Sequence, residues 1–211
     1  GFAIDYMTYG GIYRDVYLEV RSLSYIERTA IETKLTDRYE NDDRLFCKKG
    51  AVVTKVYTKG SVDGYRMVSY IRKKGGEAFT RVSETEAVSG YTEIIARLDD
   101  VELWDPDNPA LYEQKIELVN AEGMTVDRQT DTFGFRKAVF KPNGFFINGR
   151  KLKIRGLNRH QSYAYVGYAM PDSMQELDAV MLKNKLGVNA VRTSHYPQAQ
   201  SFLDKCDEIG L

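Results

Sequence analysis

Cysteine, histidine, tryptophan and proline are all scarce in this chain. Of its 211 residues, two are Cys, two are His, one is Trp and five are Pro. Two lone cysteines exclude a disulfide framework. Five prolines, with no Ser- or Gln-rich tract, exclude a disordered low-complexity chain. Net charge is missing as well. The 30 basic and 30 acidic side chains cancel, which leaves no electrostatic footprint for nucleic acid or an anionic membrane. No apolar run approaches the roughly 20 residues that a membrane-spanning helix needs. No group of His, Cys or carboxylates shows metal-ligand spacing. No glycine-rich loop is built to cradle a phosphate, and no nucleophile elbow is present. The residues call for no metal and no cofactor.

What the chain does have is tyrosine, 15 of them, within an aromatic content of 12%. That suits sheet surfaces first and sugar-stacking walls second. Its length allows one large domain or two small ones. In residues 1–20 a Gly10-Gly11 pair separates an aromatic segment from a run of β-formers, Ile12, Tyr13, Val16, Tyr17, Leu18 and Val20, and the pattern predicts a hairpin edge. From Leu23 to about Lys137 there is no helical periodicity. Ala51–Thr58, Tyr65–Ile71 and Tyr112–Val119 read as strands, with turn chemistry at Asp63-Gly64, Gly75-Gly76 and Glu122-Gly123. Short strands at this spacing predict an immunoglobulin-like β-sandwich, with Trp104 in its core.

The texture changes from about Ala138. Phe145 to Arg150 reads as a hairpin turn, and Lys151 to Leu157 as a short strand ending in Asn158-Arg159-His160. After a polar and aromatic loop, Ser173 and Glu176 stand three apart as a capping box. Met174, Leu177, Val180 and Met181 follow as an apolar helix face. Gly187 then precedes a strand from Val188 to Thr193. A last helix carries Phe202, Cys206 and Ile209 at i, i+4 and i+7 and is closed by Gly210. Cys206 falls on its apolar face and is expected to be a buried thiol. Strand, helix, strand, helix is the opening of a parallel α/β unit. Each of the two histidines, His160 and His195, lies just past one of its strands. Adjacent strands are about 4.8 Å apart, so both side chains can line one mouth, each with an Arg nearby (Arg159 and Arg192).

The run from Asn189 to Leu211 closely resembles the signature of glycoside hydrolase family 2, the family of β-galactosidases, β-glucuronidases and β-mannosidases. Asn189, Val191, Arg192, Thr193, Ser194, His195-Tyr196-Pro197, Phe202, Leu203, Asp207, Gly210 and Leu211 all fit its pattern. The string G-G-I-Y-R-D-V resembles the end of the family's sugar-binding jelly roll. L-W-D-P-D-N-P-A-L-Y and Thr132–Arg136 resemble the entry to a late strand of its central sandwich and the exit from it. The resemblance implies residues 1–22 as an incomplete jelly-roll end, 23–137 as the sandwich, and 138–211 as the start of a (β/α)₈ barrel. The chain is expected to be a piece of a longer polypeptide.

The same resemblance implies sugar contacts. G-L-N-R-H is similar to the family's Gly-x-Asn-x-His element, so Asn158, His160 and His195 are the expected substrate-binding residues. Asp5 joins them from the jelly roll, and Arg159 and Arg192 support the site, Arg192 by bracing carboxylates. Gln161 departs from the acidic residue that many relatives carry, which removes a charge there. The proton donor and nucleophile of a retaining glycosidase, two carboxylates about 5 to 5.5 Å apart, would be glutamates beyond Leu211. None of the acids present is a substitute, and the chain alone is expected to be inactive. The implied function is hydrolysis of terminal β-galactosides, and N-R-H favours galactosidase. The alternatives are a β-glucuronidase or β-mannosidase of the same family, a member whose barrel is inactive, or a non-catalytic carbohydrate-binding or structural sandwich. The implied partner is a carbohydrate, with room for a homo-oligomer of the full-length enzyme.

Overall fold

The computed structural model describes residues 7, 9–41 and 44–211. The chain divides into two compact units, Glu19–Leu152 and Lys153–Leu211, the latter together with the described part of Gly1–Leu18.

The first unit is a β-sandwich. Its strands are β1 (Tyr25–Asn41), β2 (Arg44–Lys59), β3 (Arg66–Lys73), β4 (Thr80–Glu86) and β5 (Tyr91–Asp99), the short pair β6 (Trp104–Asp105) and β7 (Asn108–Pro109), then β8 (Tyr112–Val119) and β9 (Thr125–Phe133). One sheet has the order β1-β2-β5 and the other β4-β3-β8-β9. All pairings within them are antiparallel, and three-plus-four is the division of an immunoglobulin-like sandwich. Period-2 alternation decides which side chains go inside. Ile94 of β5 packs in one core cluster with Ile116 and Leu118 of β8, and Ala96 in another with Tyr112. Trp104 is buried beside Leu111 and Ile147. Gly50 is required by packing, because a Cβ there would lie 2.5 Å from Phe135 Cε1.

One polar chain crosses this core. Thr54 Oγ1 donates to Gln114 Oε1 at 2.7 Å, and Gln114 Nε2 donates to Ser69 Oγ at 2.9 Å. All three residues are fully buried. A buried polar group is tolerated when its bonds are made, and this network ties β2 to β3 and β8.

The hairpin β10 (Ala138–Lys141), β11 (Gly144–Ile147) and β12 (Arg150–Leu152) belongs to the same unit. Asn148 and Gly149 both have positive φ, 48° and 81°, as a two-residue type I′ turn requires. Asn148 also explains the attachment. Its Oδ1 accepts from Lys137 N, its Nδ2 donates to Trp104 O, and its carbonyl accepts from Leu45 N.

The second unit contains β13 (Gly156–Arg159), α1 (Asp172–Asn184), β14 (Ala190–Thr193) and α2 (Gln200–Ile209). Strands β13 and β14 are parallel, with Asn158 opposite Arg192 and Arg159 opposite Thr193. The expected single strand from Lys151 to Leu157 is therefore two strands. Its first half completes the hairpin, and its second half starts at Gly156, where a Cβ would sit 2.4 Å from Ala190 O. Close approach of the two backbones selects glycine there.

Two further expectations are corrected. The capping box at Ser173 and Glu176 does not form. Pro171 is the N-cap residue of α1, without a side-chain cap, and Asp172 Oδ1 instead accepts from Ser201 Oγ of α2. The buried face of α1 is Gln175 and Ala179, while Leu177 and Met181 are exposed. Described residues of 10–20 form no strand, and Ile12, Val16, Tyr17, Leu18 and Val20 are exposed. β-propensity without a partner ladder does not make a strand. Within the second unit, Tyr9 and Tyr13 meet the Tyr168 ring edge-on, and Arg14 donates to Tyr168 O.

Gly210 ends α2 in the left-handed conformation. Cys206 is only half-buried there, not the buried thiol expected from its place on the apolar face. Burial, and secondarily the Asp207 carboxylate, push its thiol up from 9.0 to about 12, with the Arg159 guanidinium pulling the other way. Cys47 is buried in the sandwich. Neither thiol is expected to react with Ellman's reagent at pH 8, and both should react after unfolding. Fast native reaction would contradict the burial of Cys47 or the raised pKa of Cys206. Because the folded pKa of Cys206 is raised, the unfolded chain ionises first. Stability from this group is intact below about pH 9 and declines from there toward pH 12.

Candidate functional site

The ends of β13 and β14 bring His160 and His195 together. Their ring centroids are 5.6 Å apart in an edge-to-face arrangement. His160 is partly buried and also faces Tyr196 at 6.1 Å, while His195 is exposed. The Ser194–His195 peptide is cis. Ser194 N donates to Arg159 O at 3.2 Å, which carries the pairing of the two strands one residue beyond β14.

Alternation along β13 and past its end sorts the neighbours into two sets. Asn158 is exposed, Arg159 buried, His160 intermediate and Gln161 fully buried. Asn158 and its register partner Arg192 both lie exposed. The Arg192 side chain bonds Ser194 Oγ at 3.2 Å.

Arg159 turns the other way, into the helices. Nε and Nη2 donate to Asp178 Oδ2 at 3.0 and 2.8 Å, Nη2 also to Gln175 Oε1 at 2.7 Å, and Nη1 to Gln198 Oε1 at 2.5 Å. Its guanidinium lies 3.9 Å from the Phe202 ring centroid. A buried Arg with all three nitrogens hydrogen-bonded braces β13 against α1 and α2.

Gln161 was noticed in the sequence only for the charge it lacks, and its position was missed. Its backbone N–H donates to Tyr196 Oη at 3.0 Å, its Nε2 to Pro197 O at 3.4 Å, and its Oε1 accepts from Ala199 N at 3.0 Å. Period-2 spacing from Arg159 was the signal that could have found it. Tyr168 was likewise missed; it is buried, lies tilted against Tyr196 with ring centroids 4.9 Å apart and donates to Met7 O. Asp5 lies outside the described residues.

Asp178 holds Arg159, Asp172 holds Ser201, Asp204 accepts from Gln200, and Lys205 reaches Glu176 and Glu208. Among the described residues no three His, Cys, Asp or Glu could hold a metal ion. Chemically, the pair of imidazoles with an exposed amide and guanidinium offers hydrogen-bond donors and acceptors to a polyhydroxylated ligand.

Comparison with known proteins places the chain in a family. Residues 24–136 match Glycosyl hydrolases family 2, and residues 139–211 match Glycosyl hydrolases family 2, TIM barrel domain. The chain belongs to glycoside hydrolase family 2, and β13, α1, β14 and α2 fall within the region matched to its barrel. Over its whole length it is 48% identical to a β-galactosidase of Thermoanaerobacterium thermosulfurigenes, of which it covers 29%. It is 40% identical to a β-galactosidase of Thermoanaerobacter pseudethanolicus, covering 28% of that protein. Among solved structures it is similar to Bifidobacterium dentium β-glucuronidase complexed with coumarin-3-O-glucuronide. The TM-score there is 0.77 at 27% identity, over 89% of this chain and 30% of the other. The chain thus spans less than a third of the length of these relatives.

Proposed function

We propose that this chain is a segment of a retaining glycosidase that cleaves terminal β-galactosides. In this reading His160, His195 and Asn158 contact the sugar, with Asp5 reaching them from the preceding segment. Arg159 and Arg192 hold the surroundings. Residues 1–22 end a jelly roll, 23–137 form the sandwich and 138–211 open the barrel. The observation that carries the reading is the meeting of the only two histidines at the ends of paired parallel strands, 5.6 Å apart. Ligands in α/β folds bind beyond the carboxyl ends of the strands, and imidazoles there can hydrogen-bond sugar hydroxyls more tightly in an oxocarbenium-like transition state.

Galactoside is favoured over glucuronide because the relatives matched along the entire chain at 48% and 40% identity are β-galactosidases. The protein carrying this segment should hydrolyse an aryl β-galactoside with higher kcat/KM than the matching β-glucuronide. A preference for the glucuronide would overturn the reading. The 211-residue chain alone should hydrolyse neither, because in this reading the proton donor and the nucleophile are glutamates outside it. Turnover by a pure sample of it would refute the assignment of the chemistry to other residues.

A further inference from the structure

The two residues flanking His160 hold the whole segment that leads from His195 to α2. Tyr196 is held at its hydroxyl by the Gln161 backbone N–H, Pro197 at its carbonyl by Gln161 Nε2, and Ala199 at its N–H by Gln161 Oε1. Gln198, the remaining residue, is held at Oε1 by Arg159 Nη1, and its own Nε2 donates to Tyr196 O at 3.2 Å. Gln161 is 0% exposed, so water cannot replace a bond it loses.

We propose that Gln161 is a positioning residue that fixes the spacing of the two imidazoles. Clamping residues 196–199 to the end of β13 sets His195 against His160 before any ligand arrives. An amide is the group this task requires. It offers one donor and one acceptor on the same planar end, for Pro197 O and Ala199 N respectively. A carboxylate would offer two acceptors and leave Pro197 O facing a lone pair. A methionine of similar length would leave both backbone groups unpaired in a buried place. The consequence for catalysis rests on the sugar-binding reading above; the clamp itself does not.

Because the chain has only two histidines, the test is direct. In the 211-residue chain labelled with ¹³C-histidine, an inter-ring nuclear Overhauser cross-peak should join His160 and His195. Gln161→Met should abolish it while leaving the amide cross-peaks of the β13–β14 ladder in place. Gln161→Glu should show it at acidic pH, where the neutral acid supplies one donor and one acceptor, and lose it on ionisation. The charged and titrating groups around that position are His160, Tyr196 and, through Gln198, Arg159 with Asp178. A parental cross-peak in Gln161→Met would overturn the proposal. So would loss of the ladder along with it, which would make Gln161 a folding residue. In the longer protein Gln161→Met should lower kcat/KM about 10- to 100-fold, the scale expected of an ångström-level misplacement. If the cross-peak vanishes but kcat/KM is unchanged, the clamp stands and the sugar-binding reading fails.

Discussion

If the proposed sugar contact holds, replacing His195 by alanine in the longer protein is expected to lower kcat/KM about 30- to 1,000-fold. The estimate assumes loss of one hydrogen bond that strengthens in the transition state, about 2 to 4 kcal/mol by analogy with removing an oxyanion-hole donor, at about 1.36 kcal/mol per decade. Stability should barely change, because His195 is exposed at a strand end and truncating such a side chain removes few core contacts. Kinetics and melting temperature measured on one preparation separate the possibilities. A lowered melting temperature with normal activity per folded molecule would make His195 a structural residue.

Arg159→Met should do the opposite and act on stability. The substitution leaves Gln175 Oε1 without its donor in a fully buried position and strands Asp178. Breaking a buried, hydrogen-bonded charge pair costs about 3 to 5 kcal/mol. The Asp178 side chain keeps 34% exposure, which solvates its charge and reduces the expected loss to about 2 to 4 kcal/mol. Helical circular dichroism reports α1 and α2, and the fluorescence of Trp104, the sole tryptophan, reports the sandwich. Urea titration should lower the helical midpoint and leave the fluorescence midpoint near its parental value. An unchanged helical midpoint would remove Arg159 from the role of brace.

Much of the fold was legible because it depends on local periodicity. Ala51–Thr58, Tyr65–Ile71 and Tyr112–Val119 were readable as strand-like runs that fall on β2, β3 and β8, and the turns at Gly64, Gly75 and Gly123 were readable from residues able to take positive φ, which all three adopt. The helix ending at Gly210 was readable for the same reason. The errors arose where partners at a distance decide. Lys151 to Leu157 is continuous in β-propensity, and only the approach of Ala190 O to Gly156 shows that its two halves belong to different sheets. Ser173 and Glu176 have capping-box spacing, yet the Ser201–Asp172 bond joins the start of α1 to α2 and the helix begins one residue before Ser173.

The site divided in the same way. Both histidines could be placed at strand ends by counting, and nothing beyond the sequence of the strands was needed to suspect that they meet. The direction of Arg159 could have been read from its odd position relative to Asn158 and His160. Its partners Gln175 and Gln198 could not, since a polar residue on a helix or loop carries no mark of being the acceptor for a buried guanidinium. Gln161 shows the limit most clearly. Read alone, it was a charge gone missing; in the fold, its amide matches one carbonyl and one N–H.

A double-mutant cycle on His160 and His195 tests most directly the claim that the two imidazoles act together on one sugar. kcat/KM for an aryl β-galactoside would be measured for the parent, His160→Ala, His195→Ala and the double variant. Residues serving one transition state as a unit are strongly non-additive, and side chains in contact couple by about 0.5 to 3 kcal/mol. Each single variant should therefore lose most of the activity, and the double variant much less than the product of the two losses. Unchanged kcat/KM in either single variant, or losses that multiply in full, would contradict it.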